Sequence, residues 1–596
     1  MNIAVTRPPG NKLTLDYLLD QLQQDGIISA QQIAKLKTHL RKEDLEQYHP
    51  LILVADEGLQ SITKPPYPLS MERLTRWLAH KTGQEYYRID PLKVDVSKIT
   101  SVISQAYARK LKILPIQVSE KELTVGSSEP VINDWEIELS RIARKKIKRV
   151  LINPRDLERY IVEFYGVSRS LQGAVTSNAS SALSEIQNFE QLVEVGKVGE
   201  PDANDQHVVS LVDWLLQFAF EQRASDIHLE PRRDKGKVRF RIDGILHNVH
   251  EVPIVLMGAI TSRLKALGRM DVTDRRRPQD GRVKTKTPSG NEVEMRLSTM
   301  PTTFGEKLVL RIFDPDMLVK EFHELGFTRH DQDCWNQMID NPNGIILVTG
   351  PTGSGKTTTL YSALKHLARP ELNICTIEDP IELVEPQFNQ MQVQTAIDVD
   401  FAAGVRTLLR QDPDIIMVGE IRDSETAEVA IQAALTGHLV LSSLHTNSAP
   451  ASITRLVDLG AQPYLISATL LGVLAQRLIR TLCPHCKQPG VLDRKAWDEL
   501  IAPATAAPPQ TSYLASGCDE CRHTGYLGRI GIYEAMLVNP EIRALINTTT
   551  DIAKFQAAAL KQGMHSLQIS GAQKVAEGLT TLEEIYSVIP PAIREK

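Results

Sequence analysis

The 596-residue sequence lacks any long apolar run. Its longest apolar stretches, IVLMGAI (residues 254–260) and ATLLGVLAQ (residues 468–476), fall well short of the ~20 apolar residues that a membrane-spanning helix needs. The first residues, MNIAVTRPPGNK, lack the apolar core of a secretory signal peptide. We therefore expect a cytoplasmic protein without a membrane span of its own.

The sequence also lacks a strong excess of charge and a high cysteine content. Lys and Arg number 68 against 73 Asp and Glu, a formal charge of −5, so no overall positive field attracts nucleic acid, although local basic patches are not excluded. Six cysteines in a chain of this length do not form a disulfide scaffold. The 42% of apolar residues is ordinary for a soluble globular protein, and at roughly 150 residues per domain the length predicts about four domains.

Residues 1–166 predict a small α+β domain. LDYLLDQLQQDGIIS and SMERLTRWLAHKTG have helical periodicity, the second with Ser70 as its N-cap, and KILPIQVSEKELTVGSSEP reads as two strands joined by a turn. The charge run RIARKKIKR, residues 141–149, favours a solvated helix face, with contact to anionic lipid or a partner as the alternative. Residues 167–204, rich in Ser, Ala, Gly and Asn, predict a flexible linker.

The remainder of the chain changes character twice. HVVSLVDWLLQFAFEQ predicts a helix, and KVRFRIDGILHNVH and GRVKTKTPSGNEVEMRLSTMP then alternate as antiparallel strands do. From about Gly344, the short apolar segments IILVTG, NICTIE, DIIMVGE and HLVLSSLH are separated by helical stretches. This order is typical of a largely parallel α/β sheet.

The segment GIILVTGPTGSGKTTTLYSAL contains the pattern G-x-x-x-x-G-K-[ST] between an apolar strand and a helix. Its glycines let backbone N–H groups surround phosphate oxygens, and the following helix N-terminus adds a positive field. Lys356 is expected to reach the β- and γ-phosphates of ATP, and the Thr357 hydroxyl to coordinate Mg²⁺. A chance glycine-rich turn is the alternative, which the flanking strand and helix disfavour. The predicted nucleotide-binding residues are Gly350, Pro351, Thr352, Gly353, Ser354, Gly355, Lys356, Thr357 and Thr358.

Carboxylates follow two further predicted strands. In LLRQDPDIIMVGEIRD the strand delivers Glu420 to the carboxyl end of the sheet, where it would hold Mg²⁺ through water or polarise the attacking water. TIEDPIE places Glu378, Asp379 and Glu382 within five residues, and a carboxylate suits the orientation of water for in-line attack. Alone, each cluster would read as a solvated acidic turn; beside the nucleotide loop, TIEDPIE becomes the candidate for the general base.

TGHLVLSSLHTN places His438 and His445 at the two ends of another predicted buried strand. A histidine at a strand end is more often structural than functional. Near a γ-phosphate, a neutral imidazole would instead sense the nucleotide state through a hydrogen bond.

Two C-x₂-C pairs, LCPHC and GCDEC, lie near the end of the chain. Four thiolates with no open position suit structural Zn²⁺. Two disulfides or isolated cysteines are the alternatives, which a cytoplasmic address disfavours. The predicted zinc ligands are Cys483, Cys486, Cys518 and Cys521.

These elements, in this order, resemble the type II secretion and type IV pilus assembly (extension) motor ATPases. GPTGSGKTT is similar to their Walker A motif, TIEDPIE to the aspartate box, LRQDPDIIMVGEIRD to the Walker B motif and TGHLVLSSLHTN to the histidine box. RASDIHLEP, VRFRIDG, RRRPQDGR and VEMRLSTMPTTFGEKLVLRIFD resemble the PAS-like domain that precedes the ATPase core in this family. The tetracysteine insert is what the assembly branch shows, whereas retraction motors generally lack it.

The resemblance implies a multidomain α/β protein: an N-terminal α+β platform-docking domain (1–166), a linker (167–204), a PAS-like N2 domain (205–318) and a RecA-like P-loop ATPase domain (319–596) with a zinc subdomain (479–526). It implies six chains in a ring, with ATP between two domains of adjoining chains and with Arg239 and Arg241, joined by Arg277 and Arg282, contacting the phosphates. A solvated strand face is the alternative for these arginines. Glu382 carries over as general base and Glu420 as the Walker B carboxylate, with His438 and His445 coupling nucleotide state to domain movement.

The implied partners are copies of the chain itself, an inner-membrane platform protein and the cytoplasmic domain of a membrane docking protein. The protein would then attach to the cytoplasmic face of the inner membrane through these partners, with no stable nucleic acid bound. The alternatives are a DNA-uptake or conjugation motor and a member of the same family that is regulated by the second messenger cyclic di-GMP. Some relatives bind cyclic di-GMP through R-L-G motifs with spaced Leu, but TLDYLLDQLQQDGIIS lacks the Arg and Gly of that motif, so the residues do not predict this ligand.

Overall fold

The computed structural model describes residues 12–589 except 42–44, 46–47, 64–66, 92–93, 177–205, 288–289, 291, 314–319, 503–506 and 548–549. The chain divides into two compact units, one of residues 1–283 with 296–311 and the other of residues 284–295 with 312–596. Within the described ranges, no helix combines the length and the apolar character needed to cross a membrane.

The helices of the first unit are Leu15–Gln24 (α1), Ala30–His39 (α2), Pro50–Asp56 (α3), Met71–Thr82 (α4), Val96–Thr100 (α5), Gln105–Leu111 (α6), Asp134–Ala143 (α7), Pro154–Thr176 (α8), Gln206–Glu221 (α9) and Ile254–Leu267 (α10). Those of the second are Phe322–Leu325 (α11), Arg329–Ile339 (α12), Lys356–Leu367 (α13), Phe401–Leu408 (α14), Ser424–Leu435 (α15), Ala449–Asp458 (α16), Pro463–Thr469 (α17), Arg494–Ile501 (α18), Pro540–Ile546 (α19), Ile552–Lys561 (α20), Leu567–Ala576 (α21) and Leu582–Val588 (α22).

The strands form four sheets. In chain order they are Ile113–Val118 (β1), Glu122–Ser127 (β2), Lys146–Leu151 (β3), Asp226–Pro231 (β4), Lys235–Ile242 (β5), Ile245–Pro253 (β6), Gln279–Lys286 (β7), Glu292–Thr302 (β8), Gly305–Phe313 (β9), Gly344–Thr349 (β10), Ile374–Glu378 (β11), Asn389–Gln392 (β12), Ile415–Val418 (β13), Leu439–Leu444 (β14), Leu470–Leu482 (β15), Gln488–Gly490 (β16), Ser512–Leu514 (β17) and Tyr526–Leu537 (β18). The sheet orders are β1-β2-β3, β6-β5-β4-β9-β8-β7, β12-β11-β13-β14-β10-β15-β18 and β16-β17.

The N-terminal part of the first unit is the predicted mixture of helices and strands. The Ser70 side chain accepts a hydrogen bond from the Arg73 N–H at the start of α4, as its N-cap position predicts. β1 and β2 pair antiparallel, which confirms the hairpin. A third strand, β3, pairs parallel with β2.

Two boundaries differ from the sequence prediction. The charge run 141–149 is not one helix face, because α7 ends at Ala143 and residues 146–149 belong to β3, whose end, Val150 and Leu151, is fully buried. Burial of that strand end outweighs the local composition. The helix α8 continues to Thr176, so that residues 167–176, the first part of the predicted linker, are helical. The rest of the predicted linker, apart from these helical residues, lies outside the described residues.

The six-stranded sheet has one apolar and one charged face. On β5, Val238, Phe240 and Ile242 are buried, whereas Arg239 and Arg241 alternate with them on the opposite face. The antiparallel pairing of β4 with β5 and β9 places Asp226 opposite Arg241 on one side and opposite Arg311 on the other. β5 and β6 also pair antiparallel, which confirms the first predicted hairpin, and the second predicted segment forms the neighbouring strands β7 and β8.

The seven-stranded sheet organises the second unit. Its first six strands are parallel and only the edge strand β18 is antiparallel. Alternate residues of β10 enter two separate apolar clusters, Ile345 and Leu347 one, Ile346 and Val348 the other, so both faces of the sheet are covered. The carboxyl ends of β10, β11, β13 and β14 consequently meet at one edge, where the predicted motifs lie.

Candidate nucleotide-binding site

The glycine-rich loop lies between β10 and α13, as the sequence predicts. Gly350, Gly353 and Gly355 have φ values of 154°, 78° and 88°. A Cβ at Gly350 would lie 2.6 Å from both the Gln476 carbonyl oxygen and Ser354 Oγ, so no larger residue fits there without movement. Helix α13 begins at Lys356, directly after the loop, and its N-terminus supplies the positive helix end that binds phosphate.

Lys356 lies over this loop. Its Nζ donates hydrogen bonds to the carbonyl oxygens of Gly350 (2.9 Å) and Pro351 (3.3 Å). Burial lowers the pKa of Lys356, the charges of Glu420 and Glu382 oppose that shift, and the charge of Arg477 reinforces it. The fold therefore brings Lys356 into the field of both predicted carboxylates.

Glu420 lies just beyond the end of β13, in contact with the histidine segment. Its carboxylate pairs with Arg422, and its Oε2 lies 3.4 Å from His445 Nε2. Burial acts to raise the pKa of Glu420, but the hydrogen bond and charge of Arg422, with the charges of His445 and Lys356, lower it overall. An ionised carboxylate therefore occupies the predicted Walker B position. Arg422 Nη1 also lies 3.7 Å from Asp379 Oδ2, which links the two acidic segments.

The three carboxylates of TIEDPIE have different surroundings. Glu378 is buried and accepts hydrogen bonds from Tyr361 (2.6 Å), Thr376 (2.6 Å) and Gln390 (3.2 Å). Burial raises the pKa of Glu378, and these bonds, with one from the Glu382 backbone N–H, oppose the shift. Glu378 is thus held in place by hydrogen bonds, and the assignment of Glu382 as general base stays a prediction from the resemblance.

The same network fixes the loop that carries Glu382. Gln390 Nε2 donates to the Leu383 carbonyl oxygen (2.8 Å), and Tyr361 Oη, whose one proton goes to Glu378, lies 3.1 Å from the same oxygen. The residue next to Glu382 is therefore tied to β12 and lies against Tyr361 of α13.

The two histidines of TGHLVLSSLHTN lie at opposite ends of β14. His445 contacts Glu420 at the carboxyl end. His438 precedes the strand, and its Nδ1–H donates to the Ala433 carbonyl oxygen (2.8 Å). The structure does not bring His438 to the phosphate loop, because six residues of extended strand separate it from His445.

The predicted arginines of β5 belong to an ion-pair network of the first unit. Arg239 Nη2 donates to buried Glu230 (2.6 Å), and Arg241 Nε lies 3.4 Å from buried Asp226. Lys307 also lies 3.3 Å from Glu230. Burial acts to raise the pKa of Glu230, but its bonds to Arg239 and Lys307 lower it overall. The arginines on this face of β5 are therefore held by ion pairs with buried carboxylates and are not simply exposed to solvent.

The four cysteines of the C-x₂-C pairs converge on one point. Their Sγ atoms all lie within 4.8 Å of one another, and neighbouring sulfurs are 3.7–3.8 Å apart. A tetrahedron with metal–sulfur bonds of ~2.3 Å has S···S edges of about 3.8 Å, whereas a disulfide needs ~2.05 Å. The Cys518 and Gly525 N–H groups donate to Cys521 Sγ, each at 3.2 Å, as expected for a thiolate. These residues fit zinc, and the described cysteines form no disulfide.

Sequence reasoning missed several residues that support the site. Tyr361 and Gln390 hold Glu378, and Gln476 and Arg477, at the end of the apolar stretch ATLLGVLAQ, contact the phosphate loop and the segment after His445. The only available signal was a polar pair, Gln–Arg, inside an apolar strand, since burial of such groups requires partners. Their partners are distant in sequence and became visible only in the fold.

Comparisons with known proteins identify a family and several similar chains. The family described as Type II/IV secretion system protein matches residues 202–587, and the MshEN domain matches residues 82–171. The chain is 52% identical over 581 residues to the type IV pilus assembly ATPase TfpB of Acinetobacter baylyi, covering 97% of this chain and 99% of that one. It is 38% identical over 506 residues to the type II secretion system ATPase E of Vibrio cholerae, covering 82% and 98%. The solved structure of the pilus retraction motor PilT with bound ADP covers 63% of this chain and 96% of its own, at 27% identity and a TM-score of 0.45.

A multidomain α/β protein with a P-loop core and a tetracysteine cluster is therefore the class that fold and site define. The chain belongs to the type II/IV secretion system protein family, among relatives named as pilus assembly and secretion ATPases. This confirms the resemblance drawn from the motifs.

Proposed function

We propose that this chain is a Mg²⁺-dependent ATPase that works as a hexamer and powers assembly of pilin or pseudopilin subunits. The observation that carries the proposal is the glycine-rich loop between β10 and α13, with Lys356 folded back onto it and the charges of Glu420 and Glu382 acting on Lys356. Family membership and the 52% identity to a pilus assembly ATPase support the biological role.

In the proposed reaction, water attacks the γ-phosphorus of ATP, the bond to the β–γ bridging oxygen breaks, and ADP leaves with inorganic phosphate as the second product. Lys356 and the loop N–H groups bind the phosphates, and Glu382 accepts the proton of the attacking water. Glu420, held ionised by Arg422, orients the site from the end of β13. Mg²⁺, with Thr357 as its proposed protein ligand, supplies neutralisation of phosphate charge when bound.

We further propose that Arg239 and Arg241 reach the phosphates bound by an adjoining subunit. Guanidinium groups already oriented by Glu230 and Asp226 need little reorganisation to meet an anion. Nucleotide turnover would move the N2 domain against the RecA-like domain, with His445 as the residue that senses nucleotide state beside Glu420. A platform protein and a docking protein of the inner membrane would receive the motion at its cytoplasmic face.

Zinc is proposed as the occupant of the tetracysteine cluster, held by Cys483, Cys486, Cys518 and Cys521. A closed set of four thiolates gives the metal a structural role rather than a place in hydrolysis.

Purified protein with the substitutions Lys356→Ala and Glu382→Ala tests the catalytic proposal. We expect ATP turnover to fall at least about 100-fold in both, with nucleotide binding lost only in Lys356→Ala. Glu371→Ala, at an exposed acidic position of the same unit, is the matched control and should retain turnover. Unchanged turnover in either site variant would refute the role given to that residue.

A second candidate function is regulation by cyclic di-GMP, favoured by the match of residues 82–171 to the MshEN domain. Calorimetry of the full chain with cyclic di-GMP tests it: micromolar binding would support regulation, and no heat at ligand concentrations of about 100 μM would exclude it. A DNA motor is the third alternative, and stimulation of ATP turnover by DNA would favour it.

A further inference from the structure

Two adjacent residues of β15, Gln476 and Arg477, lie behind the phosphate loop. In the parallel register of β10 and β15, Ala475 pairs with Thr349, the last residue before the loop. Gln476 therefore stands beside the point where β10 becomes the loop, and only 1% of its surface is exposed. A buried amide at this point requires hydrogen-bond partners.

Gln476 finds both partners in the nucleotide motif. Its Nε2 donates to the Ser354 carbonyl oxygen (2.7 Å), and its Oε1 accepts from the Thr359 hydroxyl (2.8 Å). Because C=O and N–H point in opposite directions across a trans peptide, the Gly355 N–H is turned away from β15. One side chain thus sets the orientation of a loop peptide and ties it to the first turn of α13.

Arg477 is a buried cation held by neutral oxygens. Its Nη2 donates to the carbonyl oxygen (3.1 Å) and to Oδ1 (3.2 Å) of Asn447, and Nη1 donates to the Gln476 carbonyl oxygen (3.1 Å). Among the described residues, no carboxylate lies within 4.0 Å of its guanidinium, although the charge of Glu534 acts on it at longer range. An incompletely compensated buried cation is costly and favours a nearby anion.

The segment that Arg477 holds carries His445. Thr446, between His445 and Asn447, donates its N–H to Thr349 Oγ1 (2.8 Å). The segment is therefore fixed at two points, by the end of β10 through Thr349 and by β15 through Arg477. Its preceding residue, His445, contacts Glu420.

We propose that Gln476 and Arg477 are positioning residues for ATP hydrolysis, Gln476 for the phosphate loop and Arg477 for the segment that carries His445. Two adjacent residues of β15 then align the phosphate loop on one side of the site and the His445 segment on the other. The positive charge of Arg477 adds to that of Lys356 in attracting the phosphates. This inference rests on the proposed function, since it assigns parts of the same site.

Conservative substitutions separate the two roles. Gln476→Glu keeps the acceptor for Thr359 but has no donor for the Ser354 carbonyl, so binding of a fluorescent ADP analogue should weaken by about tenfold or more. Arg477→Lys keeps the charge but loses the two-point contact with Asn447. We expect its kcat for ATP to fall by about tenfold or more, with ADP affinity within about threefold of the wild type. In the Arg477→Lys background, Asn447→Ala should add little further loss, because both remove one contact.

Arg480→Lys is the matched control, since Arg480 lies on the same strand but pairs with Glu584. It should retain ADP affinity and kcat, and thermal unfolding of every variant reports on stability. Unchanged ADP affinity in Gln476→Glu, or unchanged kcat in Arg477→Lys, would overturn the corresponding assignment. Equal losses in Arg480→Lys, with a lowered midpoint, would show a merely structural role and overturn both. A wild-type protein that binds ADP without hydrolysing ATP would instead defeat the proposed function.

Discussion

Removal of one hydroxyl, in Tyr361→Phe, should slow ATP turnover without weakening nucleotide binding. The Tyr361 hydroxyl donates its one proton to Glu378 Oε2 (2.6 Å), and Glu378 in turn accepts a hydrogen bond from the Glu382 backbone N–H. No described contact of this hydroxyl reaches the phosphate loop. The change therefore acts on the loop that carries Glu382 and leaves the phosphate contacts in place.

The expected fall in kcat follows from the hydrogen bond that the Glu378 carboxylate loses in Tyr361→Phe. A hydrogen bond to a charged group contributes about 1.5–3 kcal/mol. If that energy holds Glu382 in its reactive position, kcat falls on the order of 10- to 100-fold, because 1.4 kcal/mol corresponds to a factor of ten. Burial already raises the pKa of Glu378 while the Tyr361 bond opposes the shift, so Tyr361→Phe should raise this pKa further. Protonation of Glu378 then begins at higher pH, and the acid limb of the pH profile of kcat shifts to higher pH.

The assay is steady-state ATP turnover from pH 5 to 9, together with binding of a fluorescent ADP analogue. Tyr586→Phe is the matched control, because its hydroxyl donates to the Ala496 carbonyl oxygen (2.6 Å), outside this network. Wild-type kcat in Tyr361→Phe would show that this hydroxyl does not hold the loop that carries Glu382. So would equal losses in the two variants, or an acid limb that does not move.

Three further predictions concern stability. Burial first, and then the charge of Lys112, lower the pKa of His49 to about 4. Because the folded state resists protonation of His49, the stability that this group contributes above pH ~6.5 is lost on acidification. We expect the free energy of unfolding to fall by about 2 kcal/mol between pH 7 and 5. Hydrogen exchange of the α3 backbone amides should show this loss of stability in the wild type and a smaller loss in His49→Asn, which keeps a side-chain acceptor for the helix cap. Equal pH dependence of the stability in the two proteins would contradict the prediction, because any opposing titration of Glu129 is common to both proteins. Lys265 is 0% exposed, and its Nζ lies 2.8 Å from Glu306. Lys265→Met should lower the free energy of unfolding, measured with denaturant, by about 3–5 kcal/mol, and adding Glu306→Gln should restore part of it. A loss below about 1 kcal/mol would contradict a stabilising Lys265–Glu306 pair. Metal analysis should find about one zinc per chain, lost in Cys486→Ser with a lowered thermal midpoint, and zinc-free wild-type protein would contradict the site.

Local patterns explain why much of the architecture was predictable. The short apolar strands and the glycine-rich loop are properties of contiguous residues, and parallel strands must bring their carboxyl ends to one edge. The position of Glu420 after β13 and the convergence of two C-x₂-C pairs follow from the same kind of reasoning. The start of the linker was misplaced because composition does not determine where a helix such as α8 ends.

The family, the phosphate loop, the largely parallel sheet and the four-cysteine set were all readable from the sequence alone, because each depends on residue types at fixed spacing. Tertiary packing determines which of the candidate side chains meet. It brings His445 but not His438 to Glu420, and it holds Glu378 in a buried hydrogen-bond network with Tyr361. It also places Gln476 against Ser354, more than a hundred residues earlier in the chain. Spacing along one strand cannot encode such contacts, because they depend on how separate strands and loops pack around a shared edge.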